Sequence, residues 1–324
     1  MTAPLLQDKT LNVDPHKVGI SYSGGGPLLL IELGIAQAFV DLEVIPAAIA
    51  GVSAGAIAAV AHALDPKTGE GIRIAAEQLV NVSDHKLGLT LPKIALEAIW
   101  ERQHLSALGN NEPIKELLTL AFKSVAGKDQ LDVGYFAQPD RPTVILGAAD
   151  RLSGAPQWFR EGQGAADVAD ALVASSAIPA VFPAKRMDVA GQKRLFVDGG
   201  VACNQPLSVL ALEGCGTIYA CAVGYDGQQL SEPANLIDNM TQSMSIGMHE
   251  ASRLEQSYVE CRMDGQGVIH HIHPEVPFPV QGFNFDAASI SSIMAAARDA
   301  TKSWITSNNL MPPRAPADSG SRAG

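Results

Sequence analysis

The sequence predicts an α/β protein with three layers, a mostly parallel central sheet lying between helices. Two observations carry this. Two units of apolar strand, glycine turn and apolar helix follow one another within about 50 residues near the start of the chain, and short strands alternating with helical stretches return after residue 140. Successive units of this kind are βαβ crossovers, which place parallel strands side by side and helices on both faces.

The elements follow in order. "HKVGISYSGGG" reads as a buried strand running into glycines, and "PLLLIELGIAQAFVDL" as a helix entered through Pro27, whose fixed φ suits a first turn. "PAAIAGVS" is small and apolar enough for a central strand; "AGAIAAVAHAL" continues as a helix stopped by "DPKTG". Residues 70 to 125 are helical in pattern, with "PKIALEAIWERQ" and "NEPIKELLTLAFKSV" amphipathic on either side of "HLSALGNN". Leu96, Ile99 and Trp100 form an apolar stripe there, suited either to a lid over a site (about 81–125) or to ordinary peripheral helices. "PTVILGAAD", "APQWFRE", "KRLFVDGG", "TIYACAV" and "VIHHIH" read as strands. "AADVADALVASSAIPAVF" reads as a helix ended at Pro179, and two long helices are expected, from Pro233 to Arg262 and from Asp286 to Ser307. The expected organisation is an N-terminal segment (1–16), one domain (17–307) and a tail (308–324) whose proline, glycine and serine content reads as disorder.

Composition narrows the function. The 324 residues suffice for a sizeable core, and 47% apolar with 18% charged residues suits a globular chain. A net charge of -11 without basic runs argues against nucleic acid and against a broad dock onto anionic lipid. No basic, then apolar, leader opens the sequence, and no window reaches the roughly 18 apolar residues of a membrane span. Cys203, Cys215, Cys221 and Cys261 lack close pairing and read as buried thiols in a reducing compartment rather than a disulfide frame or zinc site. A cytoplasmic protein is expected.

Three stretches carry chemistry. Gly51, Val52, Ser53, Ala54 and Gly55 fit G-x-S-x-G, in which a sharp strand-to-helix turn lifts a serine hydroxyl out of a sheet. The flanking glycines leave room for neighbouring backbone, and the following helix aims free N–H groups at a developing oxyanion. The alternative is a small-residue structural turn. In "RLFVDGGVACNQP", Asp198 ends a strand ahead of Gly199 and Gly200, either as a carboxylate at the ligand-bearing end of a sheet or as an Asx-type cap. Gly24, Gly25 and Gly26 can form a nest of amides, for a phosphate or an oxyanion; the spacing fits neither a dinucleotide fingerprint nor a P-loop. The eight histidines include His249, His270, His271 and His273, late enough for a serine, acid, histidine order, but none stands in a distinctive setting. His271 and His273 share a strand face without a nearby third metal ligand, so a solvated or core cluster is preferred and no metal is expected.

Taken jointly, "SGGGP", "GVSAG" and "VDGG" in this order resemble the patatin-like phospholipase family, with "LGNNEPIKELL" and "ASSAIPAVFPA" in agreement and the resemblance covering about residues 17–225. The resemblance implies a serine and aspartate dyad without histidine: Ser53 as nucleophile, Asp198 as base, an oxyanion hole in the Gly24–Gly26 turn, most of all Gly25 and Gly26, and no cofactor. Gly51, Gly55, Gly199 and Gly200 support the motifs. The family pattern carries Arg or Lys two residues after the third glycine, where this chain has Leu28. That departure shifts the expected substrate toward neutral-headgroup esters or acyl thioesters, and Glu32 would add negative charge if it faced the site. The expected activity is a lipid acyl hydrolase of the esterase or phospholipase A type, with peripheral contact to lipid surfaces. An acyltransferase or thioesterase on the same dyad, or a silent lipid-binding protein, stands as the alternative. Burial is expected to raise the Asp198 pKa toward the working range of a base.

Overall fold

In the computed structural model, residues 10–88, 107, 109–110, 112–162, 167–233, 236–277 and 282–313 are described. The stripe Leu96, Ile99 and Trp100, residues 1–9 and the tail from residue 314 lie outside them. The described strands form an eight-stranded sheet: β1 (Asp14–Tyr22), β2 (Ala48–Val52), β3 (Thr143–Asp150), β4 (Pro156–Phe159), β5 (Lys185–Val189), β6 (Gln192–Asp198), β7 (Cys215–Cys221) and β8 (Val268–Ile272). Its order is β5-β6-β3-β2-β1-β7-β8, with β4 also paired to β3. The pairs β1–β2, β2–β3, β1–β7 and β7–β8 are parallel, and β3–β4, β3–β6 and β5–β6 antiparallel. The two expected crossovers run through α1 (Leu29–Asp41) and through α2 (Ala54–Leu64), α3 (Glu70–Leu79) and α4 (Glu112–Ala126).

Central strands buried on both faces read as continuous apolar runs. β2 and β7 are buried throughout, which is why "AIAGV" and "CGTIYAC" show no polar alternation. Their side chains still alternate between two cores. Val18, Ile20, Tyr22, Ile49, Tyr219 and Cys221 join the larger core, built with α1, α2, α3 and the last helix, α8 (Ala287–Ser307). Ala48, Ala50, Ile145, Ile218 and Ala220 join a smaller one, closed by Leu207, Val209 and Leu210 around α6 (Ser208–Leu212) and by Val259 and Met263 of α7 (Leu236–Met263). α1 is buried almost all round because α2 and α8 both pack on it.

Of the four cysteines expected to be buried, Cys203, Cys215 and Cys221 are, whereas Cys261, near the end of α7, is exposed. Two local features also differ from the sequence pattern. The helix expected to run to Pro179 is α5 (Val168–Ser175), which stops earlier. A residue before proline is pushed out of helical φ/ψ, and here the chain leaves the helix so that the Ala177 carbonyl accepts the amide of Asp198 at 2.9 Å. β5 has no apolar run to announce it: it is an edge strand whose residues alternate between half-buried and exposed before ending on buried Val189, joined to β6 by a two-residue turn at Ala190 and Gly191, both with positive φ. No helix among the described residues is long and apolar enough to cross a membrane.

Candidate active site

The meeting of Ser53 and Asp198 follows from sheet register. Gly147 of β3 pairs with Val52 on one side and Trp158 on the other; the next residue, Ala148, pairs with Gln157 on the side of Trp158 and with Asp198 on the opposite side. β2 and β6 therefore lie along the same edge of β3, one after the other and pointing in opposite directions. Their C-terminal ends meet, and each chain turns away there, at Ser53 and at Asp198.

Ser53 occupies φ 56, ψ −124, a conformation that L-residues other than glycine rarely adopt, directly before the first turn of α2. Its neighbours show why the turn needs glycine. A Cβ on Gly51 would stand 2.2 Å from the Gly55 carbonyl oxygen, and one on Gly55 2.3 Å from that of Ser23. The Ser53 amide donates to Ser175 Oγ at 2.8 Å, and Ser175 donates in turn to the Gly147 carbonyl at 2.6 Å.

Asp198 is as buried as Ser53, each 4% exposed. Its Oδ1 accepts the Gly200 amide at 2.8 Å, an Asx-type cap, while Oδ2 makes no regular hydrogen bond. Burial pushes the Asp198 pKa up to about 6, opposed by the nearby Ser53 hydroxyl and by the Gly200 amide. The hydroxyl thus lies near enough to favour the carboxylate without closing a bond of ordinary geometry on Oδ2.

The glycine turn is divided in use. The Gly24 amide is spent on Asn204, facing its backbone oxygen at 3.3 Å and its Oδ1 at 3.1 Å. Of the three amides expected to serve an oxyanion, Gly24 is therefore already committed, whereas those of Gly25 and Gly26 have no acceptor among the described residues. Pro27 stands in the 3-10 turn Gly26–Leu28, where its missing N–H costs nothing. The turn is held from below by Gln205, whose Nε2 donates to Ser21 O at 3.1 Å and Ser21 Oγ at 2.9 Å, and by the Val223 amide donating to Ser23 Oγ at 3.1 Å.

Ser53, Asp198 and the three glycines line one cavity of about 300 Å³. Part of its wall was not legible: Met244, Met248 and His249 come from α7, in the part of the chain that no motif marks. The i, i+4 spacing of the two methionines is the one available signal. His249 pairs edge-to-face with Tyr225, ring centroids 5.3 Å apart, so one histidine does have a distinctive setting. His270 packs beside Tyr219 on the other core face of β7 and β8, and among the described residues no cluster of three metal-ligating side chains occurs. Glu32 faces inward but away from this cavity, into the core beside Tyr22 and Cys221; burial raises its pKa well above the usual carboxylate range and favours the uncharged acid.

A family model described as patatin-like phospholipase matches residues 20–211. Among solved structures, the chain is similar to human GIVD cytosolic phospholipase A2, at 12% identity and a TM-score of 0.52, over 91% of this chain and 62% of that one. It is similar to the same human protein in complex with methyl gamma-linolenyl fluorophosphonate, at 13% identity and a TM-score of 0.51, over 91% and 58% of the two chains. VipD from Legionella pneumophila also matches, at 15% identity and a TM-score of 0.49, over 94% and 72%. A sequence search of the curated proteins returned no match. This chain thus spans less than two thirds of the human protein, and the likeness to it concerns the fold. The family model covers more than half of the 324 residues, from the glycine turn through the elbow to the D-G-G turn, and the chain belongs to the patatin-like phospholipase family.

Proposed function

We propose that the chain is a lipid acyl hydrolase that cleaves carboxylic esters through Ser53 and Asp198. The observation that carries this reading is the pairing of a serine at a strained strand-to-helix turn with a buried carboxylate whose pKa is pushed up to about 6. An aspartate at its ordinary pKa, about 3.9, is a poor base at neutral pH; a raised one remains ionised at pH 7 yet accepts a proton more readily.

In the cycle, Asp198 Oδ2 takes the Ser53 proton as Oγ attacks the ester carbonyl. The oxyanion is held by the Gly25 and Gly26 amides, with the N-terminus of α2 behind the serine. Collapse breaks the bond to the alcohol oxygen, which leaves with the proton from Asp198 and creates an acyl-Ser53 ester. Water then gives a proton to the same carboxylate as it attacks the acyl carbon. A second collapse frees the fatty acid and returns the proton to Ser53.

The test is labelling with a fluorophosphonate, mapped by peptide mass spectrometry, on the wild type and on Asp198→Asn. An adduct on Ser53 that forms at least about a hundredfold more slowly in the variant is expected, the usual scale of lost general-base catalysis. An unlabelled Ser53 in folded wild-type protein refutes the hydrolase and leaves a silent lipid-binding protein as the reading to pursue.

A further inference from the structure

The cavity above Ser53 has a marked imbalance of charge. Among the described residues that line it there is no lysine or arginine, and there are two carboxylates, Asp198 and Asp226. The position beside the glycine turn that could carry a cation is occupied by Leu28, packed with its side chain over Gly25 and Gly224. The loop after β7 runs from buried Val223 to exposed Asp226, so Tyr225, Asp226 and the adjoining His249 stand at the solvent side. Leu28, Ile178, Met244 and Met248 supply apolar surface suited to an acyl chain.

Low-dielectric walls focus the field of such carboxylates into the cavity. A substrate whose ester carbonyl reaches Ser53 must place its alcohol portion against these same walls. A phosphomonoester there would lose water without gaining a cationic partner among the described residues and would face a like charge. The Gly25 and Gly26 amides could offer it hydrogen bonds only by giving up the reacting oxyanion. We infer that the cavity selects esters whose alcohol portion carries no net negative charge and turns away phosphomonoester head groups. This rests on Ser53 acting as the nucleophile.

The test compares a 1-acylglycerol with the 1-acylglycerol 3-phosphate of the same acyl chain. Both are presented at equal surface fraction in neutral detergent micelles, at pH 8, where histidine side chains ordinarily carry no charge. The expected result is a kcat/KM ratio of at least about tenfold in favour of the glycerol ester, the scale of one uncompensated charge contact. In high salt the ratio should shrink, because Asp226 is exposed and screened, but it should not reach unity, because buried Asp198 and the apolar Leu28 wall are screened far less than the overall charge of -11. Asp226→Asn should narrow it several-fold, with the rate on the phosphate ester raised more than that on the glycerol ester; Asp226 is exposed, so this variant should fold. Leu28→Arg, if it folds, should narrow the ratio further.

Equal or faster cleavage of the phosphate ester overturns the inference and makes the glycine turn a phosphate cradle. A preference that vanishes in high salt also overturns it, assigning the effect to the whole protein's charge. If Ser53 takes the fluorophosphonate but neither ester turns over, the substrate class is wrong while the hydrolase reading stands. If Ser53 is also unlabelled, both fall.

Discussion

Ser175 holds the Ser53 turn through one oxygen: its Oγ accepts the Ser53 amide at 2.8 Å while its proton goes to the Gly147 carbonyl at 2.6 Å. The serine is fully buried, so no water stands ready to replace it. Ser175→Ala leaves a donor and an acceptor unpaired, at roughly 1–3 kcal/mol for each unsatisfied group. The variant should unfold at a lower temperature, and Ser53 labelling by fluorophosphonate should slow because the φ of 56 is no longer held. Thermal denaturation and labelling rates on the same preparation check both; unchanged labelling in a destabilised protein would limit Ser175 to a structural role.

Asp198 should be a burden on stability at neutral pH. Its folded pKa of about 6 lies above the unfolded value, so the folded state binds extra protons between about 4 and 6. Stability from this group is therefore greatest below the unfolded pKa, falls as pH rises through that window, and is fully lost above about 6. Asp198→Asn should be more stable than wild type at pH 8 by roughly 3 kcal/mol and lose that advantage near pH 4, while abolishing turnover. Denaturant unfolding at the two pH values is the measurement.

The proposed role of the same group predicts a pH profile. If Asp198 must be ionised to accept the Ser53 proton, kcat/KM on a neutral ester should rise with pH along a single limb whose midpoint lies near 6. A limb near the ordinary aspartate value would assign the base elsewhere.

How much of this was legible depends on the kind of interaction. Both crossovers could be read because buried parallel strands and their helices write long apolar runs into the chain, and the turns that end them require glycine for steric reasons, as at Gly51 and Gly55. The convergence of Ser53 and Asp198 could be expected only through the family resemblance and not from any local pattern, because they are 145 positions apart and are joined by β3, whose register with β2 and β6 leaves no local mark. Ser175 was invisible for a related reason: a serine bonded to backbone 122 residues away looks like any other serine. The cavity wall from α7 was missed because Met244, Met248 and His249 are ordinary residues for a long helix, and only the packing of that helix beside Gly200 gives them a role. That the Gly24 amide already has an acceptor was not legible either, because its partner, Asn204, reaches it from 180 residues downstream.

Glu32 offers a control outside the site. Both of its oxygens are buried without a hydrogen bond among the described residues, and burial raises its pKa well above the usual range. The folded state should therefore hold a proton that the unfolded state releases above about pH 4.3, and stability should fall as pH rises from there toward the folded pKa. Glu32→Gln should flatten that part of the stability profile and change kcat/KM by less than about twofold, since a surface or core change away from the reacting atoms leaves transition-state contacts intact. A large loss of activity would place Glu32 in the machinery of the cavity.

The glycines of the two turns should respond differently to one added methyl group. On Gly55 a Cβ meets the Ser23 and Tyr22 carbonyl oxygens at 2.3 and 2.5 Å, backbone atoms of the strand that carries the glycine turn, and neither can move without dislodging β1 from α2. Gly55→Ala should fold poorly or lose several kcal/mol, on the order of the largest single-site effects. On Gly200 the closest atom, at 2.4 Å, is the terminal methyl of Met248, which can swing aside, while Asn204 Oδ1 and Asp198 Oδ1 are crowded at 2.9 and 3.1 Å. Gly200→Ala should keep a near wild-type melting temperature yet lose activity, because the crowded oxygens are those that fix Asp198 and hold the Gly24 turn. Melting curves and ester turnover of the two variants, measured together, separate a glycine that the fold requires from one that the chemistry requires.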